Sequence, residues 1–292
     1  MKKGLTFTVI AQAQSLNYGE GISNIAELKK LTRADGNVYT FASRQCLRYD
    51  IVRLASELFN WNLQVVDKSK GTIQFKDDMT IKDSQEMDLF GYMKTSKKDD
   101  KDKGGSSTRE AVVRLSNATS LESFNSDLDF LTNMGLAKRK NYANDIAQSE
   151  IHRSYYAYTI TIDLDKVGID GDDCIENEEK AQRVEQLLRT VEFLYRDIRG
   201  RRENLSPLFV VGGVFKRKNP YFSNALVVKN NKVEVTPIES ILKSMGDDQE
   251  NVRIGVIKGI FDNEKELESS LNVTTVGEAF ESIIQDMKKM YE

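Results

Sequence analysis

Two segments of alternating apolar and polar residues constrain the fold more than any other feature of this 292-residue chain. Apolar residues alternate with Thr and Gln from Leu5 to Gln14, and apolar or aromatic residues alternate with Thr and Asp from Tyr155 to Leu164. Successive side chains of a strand point to opposite faces. The alternation therefore predicts two strands, each with one buried and one polar face.

Each of these strands is followed by the pattern of an amphipathic helix. Ser43 can cap a helix whose apolar residues recur every three or four positions as far as Leu58. A second helix is predicted from Asn177 to Ile198, with glutamates in its first turn. Arginines at the end of this second helix are expected to complement its dipole: Arg196, Arg199, Arg201 and Arg202.

Other periodic segments predict further strands and a last helix. Apolar runs separated by turn residues indicate hairpins, and a Thr followed three residues later by a Glu indicates a helix start. The expected segments are a hairpin over 63–75 that turns at Asp67–Gly71, a long hairpin of Leu208–Phe215 with 222–229, strands near 232–238 and 253–261, and a helix that begins with the capping box of Thr275 and Glu278.

The order of these elements is strand, helix, hairpin, insertion, strand, helix, strand, which is the order of a ferredoxin-like α+β domain. We expect a single domain over residues 1–292. Residues 83–150 have weak periodicity and are predicted to form an insertion that interrupts this domain without dividing it. Within the insertion, Lys94–Ser107 lacks any apolar anchor, so we expect an exposed, partly disordered loop.

Composition narrows the class of protein. The 42 Lys and Arg residues against 45 Asp and Glu give a net charge of −3, so a site for a polyanion has to be a local patch. Cys46 and Cys174 form no Cys-x-x-Cys or Cys/His cluster, which argues against a disulfide framework or a zinc site and favours the reducing cytoplasm. The only histidine, His152, excludes a two-His metal site. No signal peptide or membrane span is indicated.

The sequence does not indicate a nucleotide site or an acid–base pair. The pattern Gly-x-x-x-x-Gly-Lys is missing, and Gly212–Gly213 lacks the third glycine and the following helix of a dinucleotide site. The acidic segments Asp77–Asp78 and 170–179 lie in polar surroundings, which are typical of solvated turns. We therefore expect no catalytic residue, cofactor or metal ion.

Basic residues are mixed with aromatic and small polar residues at 152–156, where a strand begins, and at 215–222, the tip of a predicted hairpin. Lys and Arg neutralise phosphates and aromatic rings stack on exposed bases, a combination that suits single-stranded nucleic acid. Basic hairpin tips can also serve solubility alone. The candidate residues are His152, Arg153, Tyr155, Lys216, Arg217, Lys218 and Asn219, together with Lys138, Arg139 and Lys140 in the insertion.

Arg44 and Arg48 lie one turn apart at the start of the first predicted helix. Unpaired N–H groups and the positive end of the helix dipole favour a phosphate at such a position. The alternative is a structural ion pair with Asp50 or Glu57.

Four short segments carry a resemblance to a known family. They are Ser15-Leu16-Asn17-Tyr18-Gly19-Glu20-Gly21, Leu28-Lys29-Lys30-Leu31-Thr32-Arg33-Ala34-Asp35-Gly36, Ser43-Arg44-Gln45 with Leu47-Arg48-Tyr49, and Asp88-Leu89-Phe90-Gly91-Tyr92-Met93. They resemble the DevR (Cst-type) branch of the Cas-seven proteins, the backbone subunits of type I CRISPR effector complexes, type I-B in particular. All four lie in the first third of the chain, and the later order of elements is also similar.

The resemblance implies a ferredoxin-like or RRM-like palm with inserted finger and thumb elements, and several copies stacked head to tail along one CRISPR RNA. The protein grips the RNA backbone, and base pairing reads the target DNA. The implied partners are CRISPR RNA, target DNA through guide pairing, further copies of this chain, and other subunits of the complex (Cas-five-like, large and small). For the thumb, 83–150 is the first candidate and the 215–223 hairpin the second.

Carried over by position, the resemblance also implies RNA contacts. The polar face of Tyr155–Thr161 and the tip at 216–222 are candidates on the sheet. The loop after the first strand and the start of the first helix supply Asn17, Arg33, Ser43, Arg44, Gln45 and Arg48.

A related backbone subunit, that of type III complexes, cleaves RNA with an aspartate between the first strand and the first helix. Here the same loop contains Glu20, Glu27 and Asp35, and the Ala-Asp-Gly turn around Asp35 favours a structural role. The leading expectation is a cytoplasmic binding protein without catalytic activity. The alternatives are a metal-dependent endoribonuclease acting through Asp35 and a ferredoxin-like domain of unrelated purpose.

Overall fold

The computed structural model describes residues 4–21, 23–68, 71–95 and 106–292. Most of the loop predicted at Lys94–Ser107, and two residues of the turn predicted at Asp67–Gly71, lie outside these ranges. The strands are, in chain order, β1 (Gly4–Gln14), β2 (Ile25–Ala26), β3 (Lys30–Thr32), β4 (Val38–Ala42), β5 (Val66–Asp67), β6 (Gln74–Phe75), β7 (Tyr92–Thr95), β8 (Ser106–Arg109), β9 (Val113–Leu115), β10 (Ala118–Ser120), β11 (Asp127–Thr132), β12 (Ile146–Ile151), β13 (Arg153–Asp163), β14 (Ile169–Asp170), β15 (Asp173–Cys174), β16 (Tyr195–Ile198), β17 (Arg201–Asn204), β18 (Phe209–Phe215), β19 (Val228–Lys229), β20 (Lys232–Val233), β21 (Val252–Val256) and β22 (Val273–Thr274).

The helices begin where the sequence places caps. Ser43 Oγ accepts a hydrogen bond from Cys46 N, and Thr275 forms a capping box with Glu278, so both predicted caps are confirmed.

In the described part of the chain, no helix combines the length and apolar character that crossing a bilayer requires. The α-helices are α1 (Arg44–Phe59), α2 (Gln85–Phe90), α3 (Met134–Ala137), α4 (Asn177–Glu192), α5 (Val235–Ser244), α6 (Glu264–Ser270) and α7 (Val276–Lys288), with 3-10 turns at Lys138–Lys140, Leu164–Lys166 and Gly246–Asn251.

The main sheet is mixed and has β1 near its centre. Its strand order is β22-β21-β18-β1-β13-β10-β4-β3, and β9 also pairs with β13. β1 is antiparallel to β13 on one edge and to β18 on the other, while β22 joins β21 in parallel. The strands β18, β1, β13 and β9 thus lie side by side, each antiparallel to the next.

Both predicted strands exist, but β1 is buried on both faces instead of one. Thr6 and Thr8, which alternation assigns to a polar face, are 2% and 1% exposed. Their hydroxyls contact Thr161 Oγ1 at 3.4 Å and Thr159 Oγ1 at 2.9 Å, which satisfies the buried polar groups. The sheet therefore has two covered faces around β1.

Two apolar cores flank the sheet. On the face of Phe7, helices α1, α4 and α7 pack against β1 and β13, and the Phe7 ring meets Phe280 edge-on at 5.8 Å. On the other face, α5 and α6 cover β18 and β21 through Ile238 and Leu267. The helical layer that carries α1 is thus fixed to the central strand.

The second long helix is shorter than predicted. α4 ends at Glu192, whereas the helical period of the sequence continues to Ile198. The arginine run predicted at the helix end lies instead on the antiparallel hairpin β16–β17. Arg199 and Gly200 both have positive φ and turn the chain back there, because this left-handed geometry closes two-residue hairpins.

The predicted hairpin of β18 with 222–229 is wrong, and the strand expected at 232–238 is confirmed only in its first two residues, as β20. Both edges of β18 are occupied, by β1 and β21, so residues 222–229 have no edge to join. Val228–Lys229 pairs only with Lys232–Val233, and helix α5 begins at Val235. The strand expected at 253–261 is confirmed only in its first part, as β21.

The segments predicted as a loop and as an insertion both contain strands. Between β1 and α1, three strands replace the expected continuous loop, and β3 and β4 form a hairpin that turns at Asp35–Gly36. Within 83–150, β9 and β10 pair with β13 in the main sheet. By contrast, β11 and β12 form a separate small sheet with β2.

A buried carboxylate ties the segment after α2 to α4. Asp88 is fully buried; its Oδ1 accepts hydrogen bonds from Arg109 Nη2 at 2.6 Å and Gly168 N at 2.9 Å. Its Oδ2 accepts one from Arg183 Nη1 at 2.9 Å. Both guanidinium groups are almost completely buried, so the Asp88 carboxylate supplies charge that solvent cannot replace.

Asp88→Asn is expected to lower the free energy of unfolding by about 3 to 5 kcal/mol, because it removes the only fully buried carboxylate of this cluster. Arg109 then keeps only the more distant Asp170, at 3.7 Å, and Arg183 only the half-exposed Glu179. Urea unfolding followed by circular dichroism measures the change. The control is Glu268→Gln, which breaks the exposed ion pair with Lys258 and should leave the midpoint where it is. Equal midpoints for the wild type and Asp88→Asn would contradict the assignment.

Candidate nucleic-acid interface

The loop after β1 is joined to the start of α1 by a polar contact. Asn17 Nδ2 donates to Ser43 Oγ at 3.3 Å, and Asn17 O accepts from Lys29 N at 2.9 Å. Asn17 is only 9% exposed. Two predicted site residues, Asn17 and Ser43, are thus adjacent and hold the loop and the helix cap together.

A β-bulge directs a further side chain at the start of α1. Between Leu115, opposite Ile160, and Thr119, opposite Ala157, β9 and β10 contain one residue more than β13. Asn117 lies in this bulge, and its Oδ1 accepts a hydrogen bond from Arg44 N at 2.9 Å. Arg44 N and Cys46 N therefore already have acceptors, so the unpaired N–H groups expected at this helix end are not found at these two residues.

The positive charge at this place comes from side chains that surround a surface cleft of about 370 Å³. We call it the α1 cleft; it is lined by Arg44, Gln45, Arg48, Phe90, Ala111, Val113, Arg114 and Leu115.

The arginines of the α1 cleft differ in how far they are neutralised. Arg44 is exposed, and among the residues that the structure describes no carboxylate forms an ion pair with it. Arg48 Nη2 lies 2.8 Å from Glu86 Oε1, with its guanidinium over the Phe90 ring at 5.2 Å. Arg114, which the sequence reasoning missed, is half-exposed and contacts Asp163 Oδ2 at 2.8 Å.

The alternative prediction, an ion pair of Arg44 or Arg48 with Asp50 or Glu57, is wrong about the partner residues. Asp50 pairs with Arg196 at 2.7 Å, and Glu57 pairs with Arg53 at 2.8 Å. Arg48 is therefore ion-paired, but with a carboxylate from α2 and not from its own helix. Arg114 was missed because a single arginine within a short apolar strand gives no local signal.

The basic residues at 216–219 lie on a loop and not on a hairpin tip. Lys218 pairs with Asp165 and lies 3.7 Å from Asp163 Oδ1, the carboxylate that Arg114 also uses. Lys216 lies 3.6 Å from Asp247 Oδ2. Arg217 and Asn219 are exposed. Through Asp163, this loop is electrostatically linked to the α1 cleft.

Arg33 is exposed on the β3–β4 hairpin. Its guanidinium stacks over the Tyr39 ring at 4.0 Å, and its Nη2 donates to Ser120 O at 3.2 Å. Tyr39 OH donates to Asp35 Oδ2 at 2.7 Å, and Asn37 N donates to Asp35 Oδ1 at 3.0 Å. These bonds lower the pKa of Asp35, and its carboxylate holds the turn, as its Ala-Asp-Gly setting predicted.

The small sheet of β11, β12 and β2 has a basic end. We call residues 127–151 the β11–β12 arm. Its base is anchored by Glu150, whose carboxylate accepts hydrogen bonds from Leu28 N and Lys30 Nζ, both at 2.7 Å. Lys138, Arg139 and Lys140 form an exposed 3-10 turn between the two strands.

The structure places the basic–aromatic group at 152–156 partly in the interior. His152 and Tyr155 are buried, whereas Arg153 is exposed with its Nη2 3.3 Å from Gln12 Oε1. His152 Nδ1 lies 2.8 Å from Thr40 Oγ1, and Tyr155 OH contacts Asn231 Oδ1 at 2.6 Å. The polar face of Tyr155–Thr161 is likewise covered, so direct RNA contact through His152, Tyr155 or this face conflicts with their burial. Alternation alone could not show that this face is covered.

Metal ligands are not grouped in the part of the chain that the structure describes. No set of three or more His, Cys, Asp or Glu side chains is arranged there to hold an ion. The surface around α1 instead carries guanidinium groups beside the loop after β1, which hydrogen bonds hold in place. Guanidinium groups are donors suited to phosphate oxygens.

Sequence comparison identifies a family. The family model described as CRISPR-associated negative auto-regulator DevR/Csa2 matches residues 5–237 of the chain. A search of curated proteins finds no significant match.

Solved structures share the fold over nearly the whole chain. One, titled "CRISPR RNA-guided surveillance complex", has a TM-score of 0.59 at 12% sequence identity and covers 97% of this chain and 98% of its own. Another, titled "CRISPR RNA-guided surveillance complex, pre-nicking", has a TM-score of 0.60 at 11% identity and covers 99% and 100%. At such identities the similarity is one of fold alone.

Because burial lowers the pKa of His152 below its ordinary value, the unfolded chain takes up the proton first as the pH falls. The folded state should therefore lose stability as the pH falls from about 7.5 to 5.5. Urea midpoints across this range measure the loss. In His152→Gln, which keeps a polar partner for Thr40, this part of the pH dependence of stability should disappear. If the urea midpoint falls equally steeply with pH in the variant and the wild type, His152 is not the group responsible.

Proposed function

Because the chain belongs to the DevR/Csa2 family of CRISPR-associated proteins, we propose that it is a non-catalytic backbone subunit that binds CRISPR RNA in a type I, DNA-targeting surveillance complex. The observation that carries the proposal is the α1 cleft, where Arg44, Arg48 and Arg114 surround the start of α1 beside the pinned loop after β1. The type I-B assignment rests on the resemblance of the four sequence segments.

The central strands support a ferredoxin-like, RRM-like palm. β1, α1, β9, β13, α4 and β18 follow the order βαββαβ, and their strands lie side by side as β18-β1-β13-β9. α1 and α4 pack on the same face of these strands. In this proposal the palm is a rigid platform, and its α1 edge meets the RNA.

In this proposal the protein binds the guide RNA through the phosphate charges of the RNA backbone. Guanidinium groups match phosphate oxygens in geometry and charge, and such contacts carry no sequence information. Arg44, without an ion-pair partner among the described residues, makes the strongest contact of the α1 cleft. Sequence reading is left to base pairing between guide and target DNA.

We assign the thumb to the β11–β12 arm in preference to 215–223. The arm extends from the base at Glu150 to the basic turn at Lys138–Lys140, whereas 216–219 is a loop whose lysines are paired with carboxylates. The arm also exposes Leu128, Phe130 and Leu131. Head-to-tail stacking of copies along the RNA would cover such apolar side chains.

Arg44→Ala is expected to weaken binding of single-stranded RNA and to lower the salt dependence of the binding constant by about 0.7 in slope, the value for one lost phosphate contact. Arg48→Ala should have a smaller effect because Glu86 already neutralises part of its charge. The double variant should lose the most. Affinity measured over a series of salt concentrations gives the slope.

Lys258→Ala serves as the matched control, since it also removes one positive charge, from an ion pair with Glu268 in a distant part of the fold. Its slope should equal that of the wild type. Unchanged affinity and slope in the Arg44→Ala, Arg48→Ala double variant would remove both arginines from the interface. Copurification of discrete RNAs with repeat-derived ends, when the protein is expressed with its neighbours, tests the proposal as a whole.

The rival function is a metal-dependent endoribonuclease acting through Asp35. The Asp35 carboxylate already accepts hydrogen bonds from Tyr39 and Asn37, which supports a structural role. Incubation of the complex with complementary RNA and Mg²⁺ should therefore leave the RNA intact. Regularly spaced cuts that are lost in Asp35→Asn would establish the rival instead.

A further inference from the structure

The turn of the β16–β17 hairpin contains an arginine in an unfavourable backbone conformation. Arg199 has φ 48° and Gly200 has φ 76°. Two-residue hairpin turns with positive φ at both positions favour Asn, Asp or Gly at the first, because a larger L-residue is strained there. Strained residues of this kind concentrate at functional sites. The side chain of Arg199 therefore needs an explanation that the turn itself does not provide.

The hairpin is fixed against the loop after β1 and against α1. Arg196 Nε donates to Leu16 O at 2.8 Å, and its Nη1 donates to Asp50 Oδ2 of α1 at 2.7 Å. Gln14 N donates to Glu203 Oε2 at 2.8 Å. Arg196 and Glu203 thus serve as anchors, and the turn is held at a constant place beside the loop that carries Asn17.

Arg199 itself is presented on an aromatic ring. Its guanidinium lies over the Tyr18 ring, 4.4 Å from the centroid, and Tyr18 OH donates to Glu150 O at 2.9 Å, which orients the ring. Within the described ranges, Arg199 forms no ion pair, and its side chain is exposed. A stacked guanidinium keeps its N–H groups in the ring-parallel plane, free to bind an anion from the side.

Arg202 on the same hairpin makes the contrast. It donates to both oxygens of Asp197, at 2.8 and 3.0 Å, and also stacks on Tyr195 at 4.2 Å. Its charge is therefore already matched by a carboxylate. Arg199 has the same aromatic support but no such partner.

We propose that Arg199, supported by Tyr18, binds a backbone phosphate of single-stranded RNA. The proposal rests on the function assigned above and extends it to the opposite side of the loop after β1. Arg44 and Arg114 lie on the side of α1 that faces β9, whereas Arg199 lies on the side that faces β16. The RNA backbone is then held from both sides of the junction between Asn17 and Ser43.

The test is Arg199→Asn in the full-length chain, with a fluorescently labelled single-stranded RNA as the probe. Because Asn suits this backbone conformation better than Arg, the thermal midpoint should stay equal or rise. RNA affinity should fall, and the slope of its salt dependence should decrease by about 0.7. If Arg199 only stabilised the turn, Arg199→Asn would lower the thermal midpoint and leave the RNA affinity and the slope unchanged.

Arg202→Asn is the matched control, since it removes the same charge from the same hairpin and should leave the slope unchanged. Arg199→Lys keeps the charge but not the planar fork, so it should retain the slope with reduced affinity. A wild-type slope in Arg199→Asn, or an equal loss in Arg202→Asn, overturns this inference while the proposed function stands. A wild-type chain that binds no RNA overturns both.

Discussion

The pairing of β1 on both of its edges is the constraint from which the candidate interface is built. β13 and β18 hold β1 in register over most of its length, and a shift by one residue would move Phe7 out of the helical core. The chain therefore leaves β1 at a defined point, where Asn17 meets the Ser43 cap. The α1 cleft and the β16–β17 hairpin are both positioned by contacts to this junction.

Local patterns predicted the parts of the fold whose cause is local. The strands β1 and β13, though not their expected polar faces, and the caps at Ser43 and Thr275 were confirmed, because propensity, side-chain period and capping chemistry are properties of neighbouring residues. The hairpin of β18 with 222–229 was wrong because its formation depends on a free edge of β18, and that edge is taken by residues distant in sequence. No local pattern contains this information.

The candidate site was predicted in part for the same reason. The first turn of α1 could be found from the Ser43 cap and its two arginines. Arg114 and Arg199 could not, because one reaches the site through a bulged strand and the other through a hairpin that the sequence presents as the end of a helix. Buried His152 shows the converse, since a basic–aromatic pattern does not show which side chains face solvent.

Ion pairs within the chain determine which basic side chains can bind a phosphate most strongly. Arg48, Lys216 and Lys218 each have a carboxylate close by, and a phosphate that binds them has to compete with it. Arg44 and Arg199 have none among the described residues. The net charge of the chain is −3. The place where a polyanion binds most favourably is therefore set by basic side chains without an ion-pair partner, and not by the number of basic residues.

The β11–β12 arm links RNA binding to assembly under the proposed function. Seven of the fifteen large apolar side chains exposed among the described residues lie between Leu128 and Ile146, four of them on strands β11 and β12 and three in the segment that joins these strands. In the small sheet, β11 has no second neighbour among the described residues. Exposed apolar strands of this kind favour association. The base of the arm is bonded to Leu28 and Lys30, in the segment that pairs with the loop around Tyr18. These contacts therefore connect the loop that would bind RNA with the arm that would meet the next copy.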